Sequence, residues 1–258
     1  GASAGANGDS DESVFIGFAA AGSGTKTNAT DGTVAIGKSS LGSLTSGERN
    51  LAIGYQALDA LTVGDDNIAI GYQALTNLGT STFSNRNVAI GTYAMLSAAN
   101  NNINDNIAIG YGALSQSVHS DGDNNVAIGT NAMSDLTAGS WAMVGVGQNA
   151  LRRTNHADSV GSVAVGFSAL GSNVSGIGNV AVGFQALMDM TTGDKNTAVG
   201  YEALENCVDG VNNTALGYQA LTADAGNNNT GLGYLALRAT TGAQNTAVGA
   251  QASVNMGG

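Results

Sequence analysis

The chain has no proline, a single cysteine and only 13 aromatic side chains in 258 residues. Each scarcity excludes something. One cysteine, Cys207, rules out an internal disulfide framework. So few aromatics leave little material for a large conventional core. Charged residues make up only 10% of the chain, with 8 Lys and Arg against 19 Asp and Glu, for a net charge of −11. Binding to nucleic acid phosphates needs a basic surplus, so nucleic acid is excluded as a partner. The same deficit disfavours docking on anionic lipid. No apolar run approaches the ~18 residues of a membrane-spanning helix, so no membrane insertion is expected. No secretory signal opens the chain, and its first residue, Gly1, reads as the start of a processed or excised segment.

What is abundant is glycine, 39 residues, and much of it belongs to one recurring phrase. The phrase runs apolar–Ala–Ile/Val–Gly–aromatic–x–Ala–Leu, usually led by Asn. Its fourteen glycines are Gly17, Gly37, Gly54, Gly71, Gly91, Gly110, Gly129, Gly147, Gly166, Gly183, Gly200, Gly217, Gly233 and Gly249. They are separated by steps of 16 to 20 residues. A period this short cannot hold a helix pair and suits one coil of a β-solenoid. The expected organisation is a lead-in over 1–12 and one continuous all-β repeat domain over 13–258, a parallel β-roll of about fourteen coils.

Positions are counted from the repeat glycine, negative before it and positive after. Positions −3 and −1 are Val, Ile, Leu or Thr, and position +1 is often Phe or Tyr. These alternate, so they share one face of a strand, and such residues suit a pleated surface. The other face carries Ala at −2 in eleven copies, and the glycine itself. Both faces are therefore non-polar, and the inner one is narrow. Ala at +3 and Leu or Met at +4 break the alternation and predict a corner or a second short strand. Cys207 stands at +7, the slot of Leu44, Leu61, Leu78, Leu136 and Met190, which makes it a packing residue rather than a reactive thiol.

Between phrases lies turn chemistry, such as Gly64-Asp65-Asp66-Asn67 and Gly193-Asp194-Lys195-Asn196. The acids there, Asp65, Asp66, Asp121, Asp123 and Asp194 among them, read as a solvated surface. Ten phrases carry Asn at −4, including Asn67, Asn87, Asn106, Asn125, Asn196 and Asn213. Stacked coils would align them into an asparagine ladder. One coil has too little apolar surface to fold alone, so coils must stack. The outer stripe would then lie open on a single chain, and a stripe of that kind marks an interface. A homo-oligomer with the stripe facing its symmetry axis follows.

The phrases at 67–75, 196–204 and 213–221, Asn-Ile-Ala-Ile-Gly-Tyr-Gln-Ala-Leu and its variants, resemble the head repeats of YadA-like trimeric autotransporter adhesins. They are equally similar to the repeat arrays of phage tail fibres. The resemblance covers about residues 13–253 and implies a left-handed parallel β-roll, packed as a homotrimer and non-enzymatic. It implies display outside a cell or on a virion, with a host surface glycan or protein, or extracellular matrix, as partner. The units here, at 16–20 residues, are longer than the adhesin repeat, and neither a coiled-coil stalk nor a membrane-anchor barrel is present. The family motif is structural, so no functional residue transfers.

Other chemistry is thinly represented. Gly145-x-Gly147-x-x-Ala150 and Gly231-x-Gly233-x-x-Ala236 imitate a dinucleotide fingerprint but lack its strand–loop–helix setting. His119-Ser120-Asp121 places triad residue types side by side without triad geometry. The Asp and Asn turns leave a weak opening for Ca²⁺, and His119 and His156 are too few for zinc. No cofactor is expected. Carboxylates meeting across chains would permit a polysaccharide-cleaving tailspike-type enzyme, and the file Thr197, Thr214, Thr230 and Thr246 invites an ion- or ice-binding reading. The one marked irregularity is residues 71–166, where steps lengthen to 18–20 and the phrase degrades. There stand the only tryptophan, Trp141, and the only adjacent basic pair, Arg152 and Arg153. Exposed Trp and Arg are typical binding anchors, so these three are the candidate receptor-binding residues, although Trp141 also reads as an edge cap.

Overall fold

A computed structural model gives the structure of the chain and describes residues 12–22, 30–76, 84–96, 103–116, 122–136, 141–154 and 160–254. Among them there is no helix. They group into two compact units, 1–128 with 136–139 and 129–135 with 140–258. The first unit holds β1 (Val14–Ile16), β2 (Val34–Ile36), β3 (Leu51–Ile53), β4 (Ile68–Ile70), β5 (Val88–Ile90), β6 (Ile107–Ile109) and β7 (Val126–Ile128). Two-residue strands β8 (Asp135–Leu136) and β10 (Arg153–Thr154) pair with each other. The second unit holds β9 (Val144–Val146), β11 (Val163–Val165), β12 (Val180–Val182), β13 (Thr197–Val199), β14 (Thr214–Leu216), β15 (Thr230–Leu232) and β16 (Thr246–Val248).

Every three-residue strand is the −3 to −1 segment of a phrase. Within each unit, neighbours pair in parallel and in strict register: Ala35 faces Ala52, which faces Ala69, and Ala181 faces Ala198, which faces Ala215. The first unit has six such pairings and the second six. Each pairing of successive strands closes one turn, so the six in each unit make a β-solenoid of about twelve turns. Longer steps do not shift the register. Ile68 pairs with Val88 across a 20-residue step as Leu51 pairs with Ile68 across 17.

The strands are divided by face. The central alanines from Ala35 to Ala215 are fully buried, while the residues on either side stay partly or largely exposed. After the strand the chain turns through a corner rather than a second full strand. There Ala at +3 and Leu or Met at +4 are sealed inside, as at Ala57 and Leu58 or Ala203 and Leu204. The corner has an unexpected conformation. In all fourteen units the residues at −5, +2 and +4 have positive φ, including leucines such as Leu58 at 53° and Leu204 at 52°. A left-handed leucine costs about 1–2 kcal/mol. Full burial of its side chain, worth ~1.5–3 kcal/mol, offsets that. The twist also lets the Leu58 N–H reach Ala74 O in the next coil at 3.1 Å.

The repeat glycine is fixed by two independent demands. Its φ lies between 126° and 142° in the fourteen units. A β-carbon on Gly54 would sit 2.2 Å from Gly71 O, and one on Gly183 would sit 2.2 Å from Gly200 O. Gly71, Gly91, Gly129, Gly200 and Gly217 are similarly hemmed in. Gly110 shares the conformation, with φ at 134°.

The asparagines at −4 form a buried ladder along the inner edge. Asn87 Oδ1 accepts the backbone N–H of Asn106 at 3.2 Å and its side-chain amide at 3.3 Å. The Asn87 amide in turn donates to Asn67 Oδ1 at 3.1 Å and to Ile103 O at 2.8 Å. Asn125 continues the first unit's ladder, and Asn179, Asn196, Asn213, Asn229 and Asn245 repeat it in the second. Each rung satisfies backbone groups that would otherwise be buried and unpaired.

Two substitutions test these constraints by urea unfolding. Gly183→Ala combines strain with a backbone clash and should cost more than about 4 kcal/mol. Gly249→Ala meets no atom within 4 Å and should cost only the ~1–3 kcal/mol of backbone strain. Equal losses would mean that close approach is not the constraint. Asn87→Ala should cost about 2–4 kcal/mol by orphaning buried partners, whereas a loss under about 0.5 kcal/mol would remove the ladder from the stability of the coil.

Candidate binding surfaces

Three features of the surface are built by the repeat or by its failure: an outer apolar stripe, a polar edge and an irregular corner. The stripe consists of positions −3, −1 and +1. Its side chains point away from the alanine face and stay partly or largely exposed. Leu216 is 50% exposed, Tyr111 54% and Tyr234 50%. Thr197, Thr214, Thr230 and Thr246 stand in register on this face.

At +1 the in-register pairing forces aromatic rings on top of one another. In the second unit Phe167, Phe184, Tyr201, Tyr218 and Tyr234 form a continuous file, with centroids 5.0–5.5 Å apart and planes within 23° of parallel. In the first unit Tyr55 and Tyr72 stack at 5.3 Å, and Tyr93, from position +2, joins the row edge-on between Tyr72 and Tyr111. The spacing is close to the ~4.8 Å between strands. Stacked this way, each interior ring has its faces covered by neighbours and offers mainly its edge. The file thus presents a hydrophobic ridge rather than a platform on which another ring could lie flat.

The polar edge carries a second ladder that composition alone hides. Carboxylates and amides at −6 accept the backbone N–H of the preceding coil: Asp65 from Glu48, Asn85 from Asp65, Asn104 from Asn85 and Asp123 from Asn104, at 2.6–3.1 Å. Asp194 does the same for Ile177 and Asn227 for Val211, both at 2.8 Å. The turn acids are therefore rungs as well as solvated charge. The signal was in the sequence, as Asp or Asn recurring at one register. Beside this ladder, at −5, Arg49 grips Asp66 through two nitrogens at 2.7 and 3.0 Å, and Arg86 grips Asp105 at 2.6 and 2.8 Å. The hydrogen bonds from Arg49 and from Arg86 hold the Asp66 and Asp105 carboxyls below the usual carboxylate range.

The sequence candidates fall into two separate places. Trp141 lies at −6, on the polar edge, where Gly161 N–H meets its carbonyl at 3.5 Å; it is 49% exposed. Arg152 and Arg153 lie at +5 and +6, on the corner. They line a depression of about 170 Å³ together with Asn149, Ser168, Ser172 and Asp189, and Trp141 takes no part in it. Arg152 also contacts Asp135 at 3.5 Å. Gly145 and Gly231 are central strand residues facing the interior, where added β-carbons would meet Met133 and Ala236 at 3.0–3.1 Å. No phosphate could approach them there. Among the described residues no group of three or more His, Cys, Asp or Glu could hold a metal ion. Asp123 is a ladder rung, and His119, Asp121 and His156 lie outside the described residues. Cys207 is buried, and burial raises its thiol pKa to about 11, far from reactive.

Compared with family models, curated proteins and solved structures, the chain finds no match.

The Arg86–Asp105 pair predicts a pH signature. Asp105 titrates lower folded than unfolded, so the pair adds stability above the unfolded carboxylate pKa. That stability fades as pH falls through the folded value. The melting temperature of Arg86→Gln should lie below that of the parent at about pH 7 and converge with it below about pH 2. A gap of the same size at both pH values would show that Arg86 acts by packing alone.

Proposed function

We propose that the chain is a non-enzymatic structural and adhesive segment of an extracellular or virion fibre, a phage tail fibre or a bacterial surface adhesin. In this reading the coils wind as a left-handed β-roll, and three copies pack with their stripes about a common axis. The observation that carries it is the outer row of Val, Ile, Leu and Thr side chains at −3 and −1 in every coil, joined at +1 by aromatic rings in nine of the fourteen. Apolar surface repeated in register at every coil is what a second and third copy of the same chain would cover best, because their own rows have the same spacing. The resemblance of the repeat phrase to adhesin heads and tail-fibre arrays supports the same arrangement. The acids at the polar edge suit this role better than a catalytic one. Asp65 and Asp123 are engaged as ladder rungs, and Asp66 and Asp105 are gripped by arginines. A host-surface glycan or protein is the partner that such a fibre would meet.

Light scattering on the purified chain at micromolar concentration should give about three times the 25.4 kDa chain mass. Ile53→Glu combined with Ile70→Glu, both on the outer face of the first unit, should lower that mass to one chain while leaving the β signal in circular dichroism. A parent chain of 25.4 kDa under these conditions would sink the trimer.

A further inference from the structure

At the corner of the second unit, among the described residues, the repeat leaves room for a depression. Three successive coils meet there at the same registers. Position +5 is Arg152, then Gly171, then Met188, and position +6 is Arg153, then Ser172, then Asp189. The middle coil has no side chain at +5 and a short one at +6, so a gap opens between the arginines and Asp189. Its floor is lined at +2 by Asn149 and Ser168. In several other coils the +2 side chains are engaged: Gln73 donates to Gln56 at 2.8 Å, Gln219 to Glu202 at 2.6 Å, and Gln185 to Met188 Sδ at 3.0 Å. Here no side-chain hydrogen bond joins Asn149, Arg153, Ser168 or Ser172 to another described residue.

We propose that this depression binds a single acidic sugar, a hexuronate unit of a surface polysaccharide. Arg153 supplies a planar donor fork for the carboxylate, with Arg152 adding positive charge beside it. Asn149, Ser168, Ser172 and the Asp189 carboxylate offer donors and acceptors to ring hydroxyls. The volume, about 170 Å³, is below the ~300–1,000 Å³ of pockets that take drug-sized ligands, so one sugar ring is the right scale. Two of the chain's eight cations meet in this one depression and balance the carboxylates of Asp135 and Asp189, whereas the chain as a whole carries −11. The proposal deepens the adhesive part of the fibre reading and uses one chain's residues only.

Saturation-transfer NMR and titration of the full chain with methyl glucuronide, methyl glucoside and acetate test it. Methyl glucuronide should bind at least about tenfold more tightly than the uncharged methyl glucoside, as expected for a charge-assisted pair. Acetate, which lacks the hydroxyls, should fail to displace it. Arg153→Gln should weaken glucuronide binding about tenfold or more, with Arg153→Lys in between, and Ser172→Tyr should fill the gap and abolish binding. Equal binding of the two glycosides, displacement by acetate at matched concentration, or unchanged binding by Arg153→Gln and Ser172→Tyr would overturn the proposal. Light scattering on the same samples separates the two ideas. A trimer that ignores glucuronide loses only this site, and a monomer that binds it loses only the trimer.

Discussion

A coil of this solenoid has almost no interior of its own, and its backbone is completed by the coils on either side. The N–H of Leu51 finds Asn67 O in the following coil at 2.8 Å, and the N–H of Gly54 finds Ile36 O in the preceding one at 2.8 Å. Bonding in both directions at one fixed spacing is the constraint from which the rest follows. It brings Gly54 so close to Gly71 that no side chain fits. It leaves a narrow space above the strand, filled by Ala in eleven coils and left to Gly145 and Gly231 in two others. It turns the corner so tightly that a leucine must take a left-handed conformation to present its N–H and bury its side chain together. The Asn ladder performs the same task where the strand has not yet begun, with a side-chain oxygen standing in for a backbone carbonyl.

How much of this was legible depended on whether one residue type had to occupy the slot. Gly at position 0, Ala at −2 and Asn at −4 answer demands that few other side chains meet, so the strands, their inner face and the ladder could be placed from the phrase alone. The left-handed residues at +2 and +4 could not. Leu is chosen there for what its side chain fills, and nothing in a leucine announces its φ. The −6 ladder was hidden for a related reason. Asp65, Asn85, Asn104 and Asp123 share one task, but two residue types perform it in coils of unequal length. At the corner, irregularity in the sequence drew Trp141, Arg152 and Arg153 into one group. The fold assigns them to different registers, because eleven residues are well over half of a coil and carry the chain to another side.

Regularity and variation are thus separated around the coil. On the outer face every change is constrained by the neighbours above and below. Where adjacent coils both carry a ring at +1 the rings meet, as Phe184 stacks on Tyr201, and a β-branched residue at −3 must lie in register with its equivalents. A surface of that kind is repetitive and suits association with copies of itself. The polar edge is constrained as well, since its side chains accept backbone hydrogens.

The corner at +5 and +6 differs from both. The buried Leu or Met at +4 closes the interior, and the backbone at the corner still pairs between coils, as where Ser172 N–H meets Met188 O at 3.1 Å. The side chains beyond carry such a duty only in some coils, as where Thr76 Oγ1 donates to Gln56 O at 2.7 Å and Asn206 Nδ2 to Thr222 O at 2.9 Å. Position +5 runs through Arg152, Gly171, Met188, Glu205, Thr222 and Arg238 in successive coils of the second unit, while position 0 stays Gly throughout. Size and charge can change at +5 without disturbing register, ladder or stripe. A repeat protein that needs a distinctive site without loss of its repeat has few positions where this holds. A gap flanked by two arginines at this corner is therefore variation placed where the fold tolerates it, and recognition of a partner can vary there while the coil beneath stays the same.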